Sequence, residues 1–419
     1  MKYPSGCKYV TPARRGGVSM SGQIEFREYL EEDFESFLRL HNDVFPPVTA
    51  DEMAHWLARD DVTAGVAVRG GEVVGEIPVH IREFMVRPGV TVRAAFEHSV
   101  CVAGDVRGTG IGTHIQNAMK QFLAGRADAL TVYRGGERTP AYRFYEKNGL
   151  VDLTYHRIYT LADPGSAASQ AFELVDMSEM LRHENGMLHV FEDSLGHVGG
   201  RQVRGPGFFA ETLENLEMCE IKPLLGGLLA EEADGLAGYC IVSIGRRTSD
   251  PLHIMEVASR GRDPQLTEAL VRTACSVAAD RGTRVTVSLH EFGEGWDVFR
   301  DLGFVASPRG SMIMGTPLDW EGMADRVWWD QPGLADVQAD LFTPEEDATL
   351  RRPPGAVART VTLEMKHRQA SRYLFSRLDL AGAVAREMLT VRDATLQDVE
   401  ALGRAIPFSA WEIRDFEHI

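Results

Sequence analysis

The sequence lacks paired cysteines, long apolar runs and an excess of basic residues. No spacing typical of a zinc site or a disulfide framework links its five cysteines, which are Cys7, Cys101, Cys219, Cys240 and Cys275. No apolar run approaches the roughly 18–20 residues that cross a bilayer. The opening residues 1–22 lack the apolar stretch of a signal peptide and form a predicted flexible leader. We therefore expect a cytoplasmic protein with reduced thiols, no metal site and no membrane partner.

Charge and length narrow the class of partner and the domain count. The chain has 44 Lys and Arg against 61 Asp and Glu, which gives a formal net charge of −17. Such a chain repels nucleic-acid phosphates and is compatible with a cationic small molecule or peptide. With 44% hydrophobic residues over 419 positions, the chain is too long for one ordinary core, so several globular domains are expected.

A glycine-rich turn joins a strand-like stretch to a helical one within VCVAGDVRGTGIGTHIQ, residues 100–116. The first N–H groups of a helix have no intrahelical partner, and the helix dipole makes their end positive. Gly108, Gly110 and Gly112 would let the backbone take conformations closed to other residues and let a pyrophosphate approach without meeting a Cβ. Arg107 adds positive charge. The turn therefore predicts an anion site, although a glycine-rich turn without a ligand has the same pattern.

A second motif, FYEKNGL at residues 144–150, follows downstream. In this order the two motifs resemble the acetyl-CoA pyrophosphate loop and the last-helix signature of the GNAT superfamily of N-acetyltransferases. The resemblance implies a mixed α/β domain over residues 23–164 with acetyl-CoA as its cosubstrate. It also implies the cofactor-binding residues, which are Val100, Cys101 and Val102 on a splayed strand, Arg107, Gly108, Thr109, Gly110, Ile111, Gly112 and Thr113 at the loop, and Pro140 and Ala141 before the second motif. The chain departs from the family at Arg138, where Asn is common.

The chain also resembles itself at a shift of 154 residues. This shift aligns ALTVY at residues 129–133 with TRVTV at 283–287, and FYEKNGL with VFRDLGF at 298–304. Recurrence of a strand pattern and a helix pattern at one spacing indicates a diverged internal repeat.

The second copy has lost the chemical features of the first. Pro264 and Leu266 stand where the second and third loop glycines stand, and Phe299 aligns with Tyr145. Proline has no N–H and leucine has a Cβ, so the loop cannot form the same phosphate cradle. Residues 165–318 are therefore predicted to form a degenerate GNAT-like domain that binds no CoA.

The last segment, residues 319–419, contains a strand-like AVARTVTLEM, a helix-like RQASRYLFSRLD and the aromatic tail WEIRDFEHI. Its order of elements resembles the small sterol carrier protein-like domain that follows two GNAT domains in the enhanced intracellular survival (Eis) family. The resemblance implies an α/β chain of two tandem GNAT-like mixed-sheet domains followed by a small α+β domain. That family acetylates amines of aminoglycosides and lysine side chains and assembles as hexamers, so a homo-oligomer is expected here.

Transfer of an acetyl group to an amine calls for an acid and a base. An alkylammonium, with a pKa of about 10.4, must lose a proton, and a departing thiolate, with a free pKa of about 8.5, leaves more easily when protonated. By resemblance, Tyr145 faces the thioester sulfur and is the predicted acid, although it could instead be a core residue. The Eis family uses its terminal carboxylate as the base, here that of Ile419. Glu97 and His98 are the internal alternatives.

The sequence thus predicts an acetyl-CoA-dependent N-acetyltransferase for a cationic primary amine, either a small molecule or a lysine side chain. Two alternatives stay open, because a fold does not guarantee an activity. One is acylation of another acceptor, such as a hydroxyl or a natural-product amine. The other is a non-catalytic module that binds CoA or regulates a partner.

Overall fold

The computed structural model describes residues 24–135, 140–212, 224–244, 250–290, 293, 295–329, 337–343, 348–350, 359–409 and 411. The leader predicted for residues 1–22 lies outside these ranges. Within them, helices and strands alternate in a mixed α/β arrangement, which confirms the predicted fold class. The helices of these ranges include none with both the length and the hydropathy needed to cross a bilayer.

The first repeat is a mixed sheet with helices on both faces. Its strands are β1 (Ile24–Glu28), β2 (Val62–Arg69), β3 (Glu72–Arg87), β4 (Val90–Glu97), β5 (Cys101–Val102), β6 (Ala129–Gly135) and β7 (Val151–Leu161). Its helices are α1 (Phe34–Val44), α2 (Ala50–Leu57), α3 (Ile111–Phe122) and α4 (Pro140–Lys147). The helical stretch predicted after the glycine-rich turn is α3, and the FYEKNGL motif begins within α4. Helix α2 begins at a capping box between Thr49 and Glu52.

Two apolar clusters cover opposite faces of this first sheet. On one face, Ile115 and Met119 of α3 pack with Leu130 of β6 and with the tyrosines of α4. On the other face, Phe37 of α1 packs with Val66 of β2. Because side chains alternate along each strand, this division decides which residues of β4 and β6 face α3 and α4.

The second repeat follows the same order of elements. Its strands are β8 (Leu174–Asp176), β9 (Arg201–Gln202), β10 (Leu224–Glu232), β11 (Gly235–Ile244), β12 (Leu252–Ser259), β13 (Val285–Leu289) and β14 (Val305–Pro317). Its helices are α5 (Met177–Arg182), α6 (Glu184–Leu195), α7 (Pro264–Asp280) and α8 (Trp296–Asp301). The segment that aligns with α3 in the sequence repeat is thus a helix here too, α7.

The two repeats exchange their last strands. The continuous sheet runs in the order β1-β2-β3-β4-β6-β14-β7-β13-β12-β11-β10-β8. Strand β14 therefore lies between β6 and β7 of the first repeat, and β7 lies between β13 and β14 of the second. When equivalent strands are exchanged, β6 with β13 and β7 with β14, the order β6-β14-β7-β13 is the same read from its other end. The domain boundary predicted after residue 164 stays a prediction. One continuous sheet contains strands from both sides of that boundary.

The C-terminal segment forms a second, four-stranded sheet with helices. Its elements are α9 (Trp320–Ala324), β15 (Val337–Thr343), β16 (Ala348–Leu350), β17 (Arg359–Glu364), α10 (His367–Leu374), α11 (Leu380–Ala385), β18 (Thr390–Arg392) and α12 (Leu396–Ala405). The sheet order is β16-β15-β17-β18. Arg372 and Arg377 bind this unit to the first repeat, donating to the backbone carbonyls of Asp152 at 2.9 Å and Leu153 at 2.7 Å. Its likeness to sterol carrier protein domains stays a prediction.

Candidate active site

Strands β4 and β6 stop pairing at their C-terminal ends, and the space between the two strands beyond that point is called the cleft. Their parallel pairing ends at Glu97 and Val132. The chain then bulges at Ser99, with φ of 40°, and resumes as β5, which pairs with β3 and not with β6 among the described strands. A bulge bends a strand away from its neighbour. The strands therefore diverge, as the resemblance predicts for residues 100–102.

The glycine-rich turn leads into the N-terminus of α3 at this cleft. Gly108 and Gly110 take φ of 79° and 92°, the left-handed region that favours glycine. Gly110 is the N-cap and offers no side-chain acceptor to the first turn, which begins at Ile111 and continues through Gly112 and Thr113. A Cβ on Gly108 would meet no atom within 4 Å, so the loop is open on that side. An uncapped helix end facing open space fits an anion.

Three loop residues make contacts that the sequence did not reveal. Gly112 lies within α3, and a Cβ there would stand 3.1 Å from a ring carbon of Phe144 on α4. Its lack of a side chain therefore allows the close packing of two helices. The Nε–H of Arg107 donates to the backbone carbonyl of Val102 at 2.8 Å, which fastens the loop to β5. The hydroxyl of Thr109 donates to Val106 within the loop at 2.7 Å.

Tyr145 and Glu97 are buried on the same face of the sheet, with 6% and 4% of their surfaces exposed. Burial raises the pKa of Tyr145 well above its ordinary value, and the charge of Glu97 raises it further. Burial also raises the pKa of Glu97 to about 7. Near neutral pH the site therefore holds a protonated phenol beside a carboxyl that can take or release a proton.

Gln116 and Lys120 of α3 both act on the Glu97 carboxyl, the first by a hydrogen bond and the second by its charge, and the sequence analysis missed both. The side-chain amide of Gln116 donates to Oε1 of Glu97, while Oε2 is buried with no hydrogen-bond partner among the described residues. Both α3 residues act against the effect of burial, because each of them lowers the pKa of Glu97. A glutamine between the apolar positions Ile115 and Met119 was the available signal, because a buried polar side chain needs a partner.

His98 lies on the opposite side of β4 from Glu97. Its Nε2 is 2.5 Å from Nδ1 of His80, and its ring meets that of Trp56 edge to face. Burial, together with the guanidinium groups of Arg59 and Arg82, lowers the pKa of His98 to about 4. A group with so low a pKa is a weak base near pH 7, so the structure favours Glu97 of the two internal alternatives.

Of the remaining predicted residues, two lie at the start of α4 and two lie outside the part of the chain that the structure describes. Pro140 and Ala141 begin α4 and are exposed. Arg138 and Ile419 lie outside the described residues. Trp411 is buried, and its indole N–H donates to the backbone carbonyl of Val86 on β3 at 2.9 Å. Across the described ranges, no cluster of three His, Cys, Asp or Glu side chains is arranged to hold a metal ion.

The equivalent helix end in the second repeat is already capped. The Asp263 carboxylate accepts hydrogen bonds from the N–H groups of Gln265 at 2.8 Å and Leu266 at 3.3 Å. Phe299, which aligns with Tyr145, is fully buried against Phe304. An internal carboxylate therefore takes the place that an anion could take in the first repeat, and no hydroxyl stands at the tyrosine position.

Comparison with known families identifies the first repeat. Residues 25–150 match the profile of the Acetyltransferase (GNAT) family. The chain therefore contains a GNAT acetyltransferase domain, which confirms the expected fold and enzyme class for this part of the chain. A search of curated proteins finds no significant match.

Solved structures extend the likeness of fold to nearly the whole chain. A GCN5-related N-acetyltransferase from Kribbella flavida covers 95% of this chain and 99% of its own, at 15% identity and a TM-score of 0.66. A probable N-acyltransferase from Enterococcus faecalis V583 covers 94% and 99%, at 12% identity and a TM-score of 0.69. Eis1 from Mycobacterium abscessus covers 93% and 97%, at 14% identity and a TM-score of 0.59. At these identities the likeness concerns the fold.

Proposed function

We propose that the first repeat transfers the acetyl group of acetyl-CoA to a primary amine. The observation that carries the proposal is the placement of Glu97 and Tyr145 on one face of the sheet, where β4 and β6 part. The first is a carboxyl whose pKa is about 7, and the second is a phenol that keeps its proton. One can accept a proton near neutral pH while the other donates one.

The cofactor is proposed to bind along the cleft. The N-terminus of α3, from Gly108 to Thr113, would hold the pyrophosphate with its N–H groups, and Arg107 would add charge at the entrance. The backbone of residues 100–102 would lie beside the pantetheine, with Pro140 and Ala141 on the side of α4. The bound acetyl-CoA supplies an activated thioester. The two left-handed glycines and the open space before Gly108 support this arrangement.

Amide formation then requires two proton movements. The acceptor attacks as the neutral amine, after its ammonium form has lost one proton to solvent. As the amine nitrogen bonds to the thioester carbon, it gives up a second proton, which the ionised Glu97 accepts. As the carbon–sulfur bond breaks, the sulfur takes the electron pair and a proton from Tyr145. Glu97 then releases its proton and Tyr145 regains one through solvent, which leaves free CoA thiol and the N-acetyl product.

The acceptor is proposed to be a cationic small molecule or a lysine side chain. The formal net charge of −17 favours a cationic partner, and the ionised form of Glu97 attracts an ammonium group. The terminal carboxylate of Ile419 remains the alternative base. Assembly as a homo-oligomer, with the hexamer of the Eis family as the expected form, and a cytoplasmic location remain predictions.

Turnover with a panel of amines tests the proposal. The full chain is incubated with acetyl-CoA and an α-amino acid, a lysine peptide, a polyamine or an aminoglycoside, and free thiol and product mass are measured. Tyr145→Phe should lower kcat by about 100-fold or more, as for loss of a general acid, with little change in acetyl-CoA affinity. Tyr159→Phe is the matched control, because that hydroxyl accepts a hydrogen bond from Trp296 away from the cleft.

Other results would identify the rival functions. Thiol release with alcohols and not with amines would show O-acylation. Tight binding of acetyl-CoA without turnover on any acceptor would show a binding module. Unchanged kcat in Tyr145→Phe would return Tyr145 to a packing role.

The second repeat is proposed to bind no CoA. The hydrogen bonds from the α7 N-terminus to Asp263 support this, because the cap already neutralises the helix end. Calorimetric titration of the full chain with CoA should give one site per chain. Two equivalent sites would overturn the proposal.

A further inference from the structure

Arg134 is a buried cation that the proton movements above do not use. It follows Val132 by two residues on β6, beyond the last pair with β4, so it stands on the β6 side of the cleft. Val132 packs in the cluster that contains Tyr145, whereas Tyr133 packs against a different cluster on the other face. By strand alternation, Arg134 faces α4 as Val132 does. Its guanidinium carbon lies 4.7 Å from the centre of the Tyr142 ring, which confirms that direction.

The positive charge of Arg134 is kept in a poorly solvated place. Only 8% of its surface is exposed. Burial lowers the pKa of Arg134, and Asp152 and the two α4 tyrosines oppose that effect. A guanidinium nonetheless stays protonated in proteins, so this is a fixed charge. Burying a charge costs free energy unless something compensates it, and here Asp152 and the Tyr142 ring do so in part.

Arg134 shifts the pKa of Tyr145 in the direction opposite to the shift caused by burial and by Glu97. Burial and the charge of Glu97 both disfavour the ionised phenol, while Arg134 favours it by lowering the pKa of Tyr145. Tyr142 and Tyr145 are three residues apart on α4 and lie on the same side of the helix, so a guanidinium over the Tyr142 ring is held close to Tyr145.

We propose that Arg134 is a positioning residue whose fixed charge lets Tyr145 release its proton to the departing sulfur. This inference rests on the proposed acetyl transfer. When the carbon–sulfur bond breaks, the sulfur takes the electron pair and the phenol proton, and a phenolate forms in a buried site. Arg134 offsets that new charge where the low dielectric makes a fixed cation more effective than water would. The phenolate then regains a proton from solvent, so atoms and charge balance.

A double-mutant cycle with an altered phenol tests the proposal. Arg134→Gln should lower kcat roughly 10- to 100-fold, with acetyl-CoA affinity nearly unchanged, because the charge acts on the proton transfer. Arg134→Lys, which keeps the charge, should retain most of the turnover. In the Tyr145→Phe background, Arg134→Gln should add little, because the group through which it acts is gone.

Replacement of Tyr145 by a fluorinated tyrosine provides the decisive readout. A more acidic phenol should recover part of the kcat lost in Arg134→Gln and change the wild-type rate little. Arg87→Gln is the matched control, because Arg87 is an equally buried arginine that donates to Ser376 at 2.9 Å at the boundary with the C-terminal segment. It should lower the melting temperature without the fluorotyrosine rescue.

The other outcomes would overturn either the role of Arg134 or the proposed function. Losses in Arg134→Gln and Tyr145→Phe that multiply, or no recovery with fluorotyrosine, would overturn the role of Arg134. If Arg134→Gln does not fold, Tyr142→Leu, which removes the ring beneath the guanidinium, should show a smaller loss with the same recovery. A wild-type chain inactive on every amine would instead overturn the proposed function itself.

Discussion

Met312 of β14 is the Cα partner of Arg134 on β6, in an antiparallel pair. A residue of the second repeat therefore borders the cleft of the first. Met314, on the same strand, is fully buried in the cluster that contains Tyr145. The second repeat thus supplies part of the wall of the candidate active site, even though its own helix end is capped.

This strand exchange predicts that the repeats do not fold separately. A fragment of residues 1–164 loses β14, so both β6 and β7 are left with unpaired edges and an exposed apolar surface. We expect the fragment to aggregate or to lack a cooperative thermal transition. Co-expression with residues 165–419 should restore soluble protein and turnover. A monomeric, cooperatively folded fragment 1–164 that binds acetyl-CoA would contradict this expectation.

Alanine substitutions at Gly110 and Gly261 distinguish a loss of cofactor binding from an effect of backbone strain. Gly110 and Gly261 both have positive φ, at 92° and 64°, and both precede a helix, one in each repeat. Alanine at either position should cost about 1–2 kcal/mol of stability, because a Cβ disfavours the left-handed region. Only Gly110→Ala should weaken acetyl-CoA binding, because it distorts the N–H groups that face the anion.

Calorimetric affinities and melting temperatures of the two glycine variants provide the check. Similar losses of melting temperature with different changes in acetyl-CoA affinity are expected. Equal affinities in the two variants would mean that the α3 N-terminus does not hold the cofactor.

The raised pKa of Glu97 predicts an acidic limb in the pH–rate profile. A base works in its ionised form, so kcat/KM should rise as the pH increases through about 7, the pKa of Glu97. Ionisation of the acceptor amine adds a second limb, which Glu97→Gln leaves in place. The limb of the wild-type profile that disappears in Glu97→Gln is therefore the one whose midpoint is compared with the pKa of Glu97. A profile of the same shape in both proteins would exclude Glu97 as the base.

Gln116 should determine the pH at which the acidic limb of the pH–rate profile has its midpoint. Its amide stabilises the charged form of Glu97, so it lowers the pKa of this carboxyl. Gln116→Met removes the donor, and the midpoint should move to higher pH. Turnover at pH 7 then falls and recovers in more alkaline buffer. A reduced rate that stays reduced at high pH would indicate disturbed packing in place of an altered pKa.

Extension of the chain beyond Ile419 distinguishes the two candidate bases. Eight residues follow Trp411, and an extended chain of that length spans up to about 28 Å. Seven residues along β3 separate Val86, which binds Trp411, from Val79, the Cα partner of Glu97, or about 23 Å. The terminal carboxylate therefore has the length to reach the site. A tag after Ile419 should abolish turnover with acetyl-CoA binding intact if that carboxylate is the base, whereas only Glu97→Gln should do so otherwise.

Local sequence signals predicted much of the architecture. The glycine-rich turn located the start of α3, and the FYEKNGL motif located the end of α4, because these features depend on near neighbours in the chain. The motif pair also identified Tyr145. The environment of that tyrosine was not predictable, since Glu97 and Arg134 reach it from different strands. A single sequence does not say which distant residues meet.

The sequence by itself determined that the chain contains two similar units and that only the first keeps a glycine loop and a tyrosine, since these are properties of residue type at fixed spacing. The tertiary structure decided how the units join. Strands β7 and β14 hold equivalent places in the two repeats, and only the packing of the whole sheet shows that β14 pairs beside β6. The tertiary structure also raised the pKa of Glu97, because only the folded chain removes its carboxyl from water.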